Sequence, residues 1–147
     1  MKNIACRLEH SVEAEVGLSF AWNWRTDIKT WDDPPARFQL DGPFASGSWG
    51  TTLLPGQEPL RWQIRDVRPG AAFIIEVPLD KAAMCFEWSF EALSDRRTRI
   101  TQRIVLWGAN ANAYVNQVQA GFGSSLADGM KRIADALERA ERSTRQS

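Results

Sequence analysis

The single histidine among the 147 residues, His10, falls on the apolar parity of an alternating run, Ile4, Cys6, Leu8, His10, Val12. An imidazole with an unperturbed pKa of about 6.5 suits general acid/base work in a cyclisation or dehydration; the plainer role is a strand histidine bonded to backbone. Asp66 shares parity with Trp62 and Ile64, so its carboxylate is a second candidate base, although Asp shortly before Arg68-Pro69-Gly70 is also ordinary turn chemistry. Gln102 sits among apolar neighbours, where a buried amide must find partners: a ligand carbonyl or hydroxyl, or an ordered water. Tyr114 opens a helical pattern, where its phenol could serve a cavity mouth or pack in a core. Asp32-Asp33 does not form a carboxylate dyad, because adjacent side chains diverge and Pro34-Pro35 marks a loop.

Other chemistries lack their residues. One histidine and two cysteines cannot assemble a zinc site without several converging carboxylates, and there is no HExxH, CxxC, Walker or GxSxG motif. The expectation is no metal and no cofactor. Lys+Arg 18 against Asp+Glu 18 gives zero net charge, which argues against a nucleic-acid or anionic-membrane partner. No basic-flanked apolar run starts the chain, and no stretch approaches the roughly 18 apolar residues a membrane span needs. Cys6 and Cys85 lie far apart and read as free buried thiols of a cytoplasmic protein. The hydrophobic share of 44% and charged share of 24% are those of a globular chain, expected as one domain over 1–142 with a polar, disordered tail at 143–147.

Periodicity supplies the frame. Alternation over Ile4–Ala14 predicts a strand, and Val16, Phe20 and Trp24 recur at helical spacing up to Asp27, which could cap a second short helix carrying Ile28 and Trp31. Alternating runs then follow at 38–40, 49–53, 60–67, 73–77, 84–93 and 97–107, separated by turn residues such as Pro55-Gly56 and Pro69-Gly70. From Tyr114 through Val118, Phe122, Leu126, Met130, Ile133 and Leu137 the spacing predicts one long amphipathic helix, with Gly121, Gly123 and Gly129 inside it.

A three-residue hairpin loop at Ser94-Asp95-Arg96 would pair Leu93 with Arg97, set Glu91 against Arg99 and Glu87 against Arg103 on the outer face, and leave the basic stripe acid-paired. Inward would face Phe90 with Ile100, Trp88 with Gln102, Phe86 with Ile104 and Met84 with Leu106. The same reasoning at Pro69-Gly70 sets Ile64 beside Ile75, with Trp62 and Phe73 on that face. One helix about 10–12 Å across cannot cover seven strands about 4.8 Å apart, so the sheet must curl and leave a space that is either ligand cavity or filled by seven Trp and seven Phe. Trp24, Trp49 and Trp107 read as wall or edge residues, and an exposed Trp107 at a strand end would suit a homodimer.

The order and spacing of these pieces resemble the START-like (SRPBCC) helix-grip superfamily, in its polyketide cyclase/dehydrase-like branch. The marks are the His10-Ser11-Val12 strand running into 16–22, Gly42 with Gly47-Ser48, the Trp62 strand, Pro69-Gly70, the Trp88-Ser89-Phe90-Glu91 and Arg97-to-Gln102 strands, and the closing helix. The resemblance implies an α+β fold: a seven-stranded curved antiparallel sheet around a long C-terminal helix, with two short helices between strands one and two. It implies a hydrophobic or aromatic small-molecule partner held between sheet and helix. The expected lining is Trp62, Ile64, Phe73, Ile75, Phe86, Trp88, Phe90, Gln102, Ile104, Tyr114, Val118 and Phe122. Three functions remain open: a binding or transfer protein, a cyclase or dehydratase using His10 or Asp66, and a protein-interaction module of the chaperone-cofactor type.

Overall fold

A computed structural model describes residues 3–146. The strands are β1 (Ile4–Ala14), β2 (Arg37–Leu40), β3 (Trp49–Leu53), β4 (Leu60–Arg68), β5 (Ala72–Leu79), β6 (Ala82–Ser94) and β7 (Arg97–Trp107). They form one antiparallel sheet in the order β1-β7-β6-β5-β4-β3-β2. Between β1 and β2 lie helix α1 (Leu18–Arg25) and a 3₁₀ turn, Ile28–Thr30, whose first N–H groups are capped as the sequence suggested: the Asp27 carboxylate accepts from the Lys29 N–H at 3.0 Å.

Register follows from side-chain parity. Glu91 faces Arg99, Glu87 faces Arg103, and Phe90, Trp88, Phe86 and Met84 face Ile100, Gln102, Ile104 and Leu106, as alternation requires. The Arg99–Glu91 and Arg103–Glu87 pairs form at 3.0 and 3.7 Å, and Glu9 and Glu13 of β1 close on Arg103 and Arg99 from the other side. Each exposed pair is worth little alone, but a one-residue slip would break all of them and turn the aromatic face outward. The hairpin itself is tighter than expected. Ser94, not Leu93, pairs with Arg97, and Leu93 is displaced in a bulge at 38% exposure.

The long C-terminal helix is present, but the helical run expected from Tyr114 onward is broken before it. A 3₁₀ turn (Ala111–Tyr114) leads into α2 (Val115–Phe122), and Gly123-Ser124-Ser125 interrupts the path before α3 (Leu126–Gln146). The segment after Glu141, expected as a disordered tail, continues α3, with Arg145 bonding Glu141 at 2.9 Å. Glu138 and Glu141 also accept from the Glu15 and Gly17 N–H groups at 2.8 and 3.4 Å, tying α3 to the exit of β1. Trp107 is half-buried with its indole N–H on the Cys85 sulfur at 3.5 Å, so the exposed edge that suggested a dimer is not there. Both cysteines are buried, and among the described residues no helix is long and apolar enough to cross a membrane.

Thr98 fixes where α1 enters the sheet. It is fully buried, and its hydroxyl donates to the Val16 carbonyl at 2.9 Å. Thr98→Val keeps the shape but strands that carbonyl, so urea unfolding is expected to show a loss of about 1–3 kcal/mol, the cost of an unsatisfied buried polar group.

Candidate functional site

The inner face of the sheet is closed at one end and open at the other. At the closed end the α1 residue Trp22 packs edge-on against Phe73 and Phe90, with centroids 5.9 and 5.4 Å apart, and Phe44 does the same to Phe73 at 5.0 Å. At the open end a cavity of about 820 Å³ lies between the sheet, the end of α1, the loop after it, and helices α2 and α3. Its apolar wall includes Trp24, Trp31, Trp62, Phe86, Trp88 and Phe122.

One charged group stands inside that wall. Arg25, the last residue of α1, lies between two indoles, 4.2 Å from the Trp88 ring centre and 4.9 Å from that of Trp31. The stack continues on both sides, with Trp62 against Trp31 at 5.5 Å and Phe73 against Trp88 at 6.0 Å. Trp31 is locked in place because its indole N–H donates to the Arg25 carbonyl at 2.8 Å. Trp62 is locked by Thr52, which accepts from its indole N–H at 3.0 Å, and by Gly50, where a Cβ would lie only 2.1 Å from the ring. A glycine is the residue that lets this indole lie flat on β3.

Arg25 has no ion-pair partner among the described residues, and its Nε is buried without an acceptor. Burial lowers its pKa to about 10. The group stays charged at neutral pH and bears the desolvation cost there, on the order of 3 kcal/mol from that displacement. Between about pH 10 and the ordinary arginine range the unfolded chain binds more protons, so stability rises with pH only in that window. Other charges lie at the cavity mouth: Asp32, Asp33, Arg132 and Arg139 are exposed, and Asp135 is held by Lys131 at 2.9 Å.

The helix glycines have a role in this geometry. A Cβ at Gly121 would meet nothing within 4 Å, and one at Gly129 would meet only the tip of Arg132 at 3.8 Å. Both line the cavity, so they keep space open rather than drawing a helix onto the sheet.

No protein-family model matches this sequence, and no curated protein matches it. Solved structures do. Norcoclaurine synthase from Thalictrum flavum, in complex with dopamine and hydroxybenzaldehyde, superposes with a TM-score of 0.70 at 10% identity, covering 96% of this chain and 89% of that one. The Zhui aromatase/cyclase from a Streptomyces species gives 0.66 at 17% identity over 91% and 94%. A protein from Nitrosomonas europaea gives 0.68 at 15% identity over 93% and 96%. The chain has the helix-grip fold.

Within the helix-grip frame the expected lining residues divide. Trp62, Ile75, Phe86, Trp88, Gln102 and Phe122 line the cavity. Ile64, Phe73 and Phe90 do not, because α1 and Phe44 fill the space above them. Ile104 and Val118 belong to a second core cluster with Cys6 and Leu106, and the Tyr114 hydroxyl accepts from the Asp80 N–H at 3.3 Å, away from the cavity. His10 pairs with Gln102 in register and is half-buried, one strand beyond the lining. Asp66 is displaced by a bulge between Arg65 and Arg68, where it takes φ 49°. It is exposed and lines a shallower outer pocket of about 240 Å³ with Arg68, Glu87 and Arg103, so it is not a cavity base. Arg25, Trp31, Asp32 and Asp33 were missed as site residues. The one sequence signal for them was the density of Trp around a lone Arg in Trp22-Asn23-Trp24-Arg25 and Trp31.

Arg25→Met removes a half-buried charge and two cation–π contacts worth about 0.5–2 kcal/mol each. Because the desolvation cost is of the same size or larger, the ligand-free variant is expected to melt no lower than the parent at neutral pH. Differential scanning calorimetry checks this.

Proposed function

We propose that this chain binds an apolar or aromatic small molecule in the cavity between the sheet and the C-terminal helices. The observation that carries the reading is the open, Trp- and Phe-walled space of about 820 Å³, within the range of small-molecule sites. Two fold relatives add support, one crystallised with dopamine and hydroxybenzaldehyde and one named as an aromatase/cyclase. Trp62, Ile75, Phe86, Trp88, Gln102 and Phe122 are the proposed contacts, with the Gln102 amide serving a ligand carbonyl or hydroxyl. Two buried cysteines far apart in the chain and balanced charge suit a cytoplasmic carrier. A cyclase or dehydratase would need a proton-transfer group at the ligand; His10 lies outside the lining, Asp66 lines a separate outer pocket, and the carboxylates that share the cavity are exposed at its mouth (Asp32, Asp33) or bonded to Lys131 (Asp135), which favours binding over catalysis.

The neutral probe N-phenyl-1-naphthylamine, whose fluorescence rises in apolar surroundings, tests the reading. The parent protein is expected to bind it saturably. Gly129→Leu puts a branched side chain into the cavity and improves helix propensity by about 0.8–1 kcal/mol, so it should weaken binding without lowering stability. Equal binding by parent and variant would place the probe outside this cavity and sink the proposal.

A further inference from the structure

We propose that the ligand of this cavity carries a carboxylate, seated on Arg25 between the Trp31 and Trp88 rings. This rests on the binding function proposed above and names its substrate class: an aromatic or apolar acid, in preference to a neutral hydrophobe such as a sterol or hydrocarbon.

The argument starts from cost. A protein interior seldom keeps a guanidinium without an anion, because a charge taken out of water is tolerated when paired and hydrogen-bonded. Here Arg25 has no carboxylate partner among the described residues, its Nε has no acceptor, and its flanks are two aromatic rings. Indole faces stabilise the cation but accept no in-plane hydrogen bond, so no described protein group takes the donors of the planar fork. The two rings also fix the plane of the guanidinium, and Trp31 is itself fixed by the Arg25 carbonyl. A rigid, partly desolvated fork at the wall of a cavity is the arrangement that reads a carboxylate in bidentate fashion. The carboxylates that share the cavity do not supply the partner: Asp32 and Asp33 are exposed at its mouth, and Asp135 bonds Lys131. Arg132 and Arg139, exposed on α3 at the same mouth, offset the charge of Asp32 and Asp33 there. The rest of the wall is a mixture of aromatic and aliphatic side chains with a few uncharged polar groups such as Gln102 and Thr52, which leaves the body of the acid to be largely apolar.

The test is an isosteric pair, 2-naphthoate and 2-naphthamide, titrated calorimetrically into the intact chain at neutral pH. The parent is expected to bind the naphthoate at least tenfold more tightly. Arg25→Met should bring the naphthoate down to the naphthamide affinity, and Arg25→Lys should keep part of the preference as a point charge without the fork. Equal affinity of the two naphthalenes for the parent, with the neutral probe still bound, would overturn the carboxylate and leave the binding function standing. Failure of the neutral probe and both naphthalenes to bind would overturn both. A naphthoate preference that survives in Arg25→Met would assign the anion to another group, Arg132 or Arg139, and reject Arg25.

Discussion

A guanidinium held between two indoles organises the open end of this molecule. Arg25 closes α1, Trp31 comes from the turn that follows it, and Trp88 comes from the middle of β6. The contact therefore joins the helical insertion to the sheet. Extended by Trp62 on one side and Phe73 on the other, the stack runs from β4 through the insertion to β5 and β6. Its members are braced from behind by Gly50, Thr52 and the Arg25 carbonyl. A wall built this way stays open because its rings spend their faces on each other and on the cation, instead of collapsing into the space beside them.

The sheet provides the precision that such a stack needs. Five outer-face residues, Arg99, Arg103, Glu9, Glu13 and Glu87, lock β1, β7 and β6 in one register, which sends Trp88 and Gln102 inward. At the other end Thr98 and the two α3 glutamates hold the start of α1. That anchoring determines where α1 ends, and so where Arg25 lies. The same helix divides the inner face: Trp22 fills the region over Phe73 and Phe90, and the cavity begins beyond it.

Period two and opposite charge made most of the sheet legible in the sequence. The inward placement of Trp62, Trp88 and Gln102 follows from parity, and the acid-paired stripe from Glu91, Arg99, Glu87 and Arg103. Bulges are where parity fails, because one extra residue exchanges the faces: Leu93 is displaced, and Asp66 turns to the outer surface. The split of the lining residues could not be read from strands alone, since it depends on which part of the sheet α1 covers. Arg25 was hidden for a related reason. A basic residue in the last turn of a helix is ordinarily a solvated complement to the helix dipole, and only Trp31 and Trp88 arriving from elsewhere enclose it. The broken C-terminal helix was written in Gly123-Ser124-Ser125, but a sustained apolar spacing across it masked the interruption.

A half-buried cation without an ion-pair partner lowers stability and suits a site that needs it, the usual trade between a settled core and a working one. The most direct measurement is the crystal structure of the chain soaked with 2-naphthoate. The account predicts the naphthalene ring between the sheet wall and Gly129, with both carboxylate oxygens within hydrogen-bond distance of the Arg25 guanidinium and the Trp31–Arg25–Trp88 stack unmoved. A cavity closed by Trp31 or Trp62, or a naphthoate whose carboxylate points to the mouth while Arg25 pairs with Asp32 or Asp33, would contradict it.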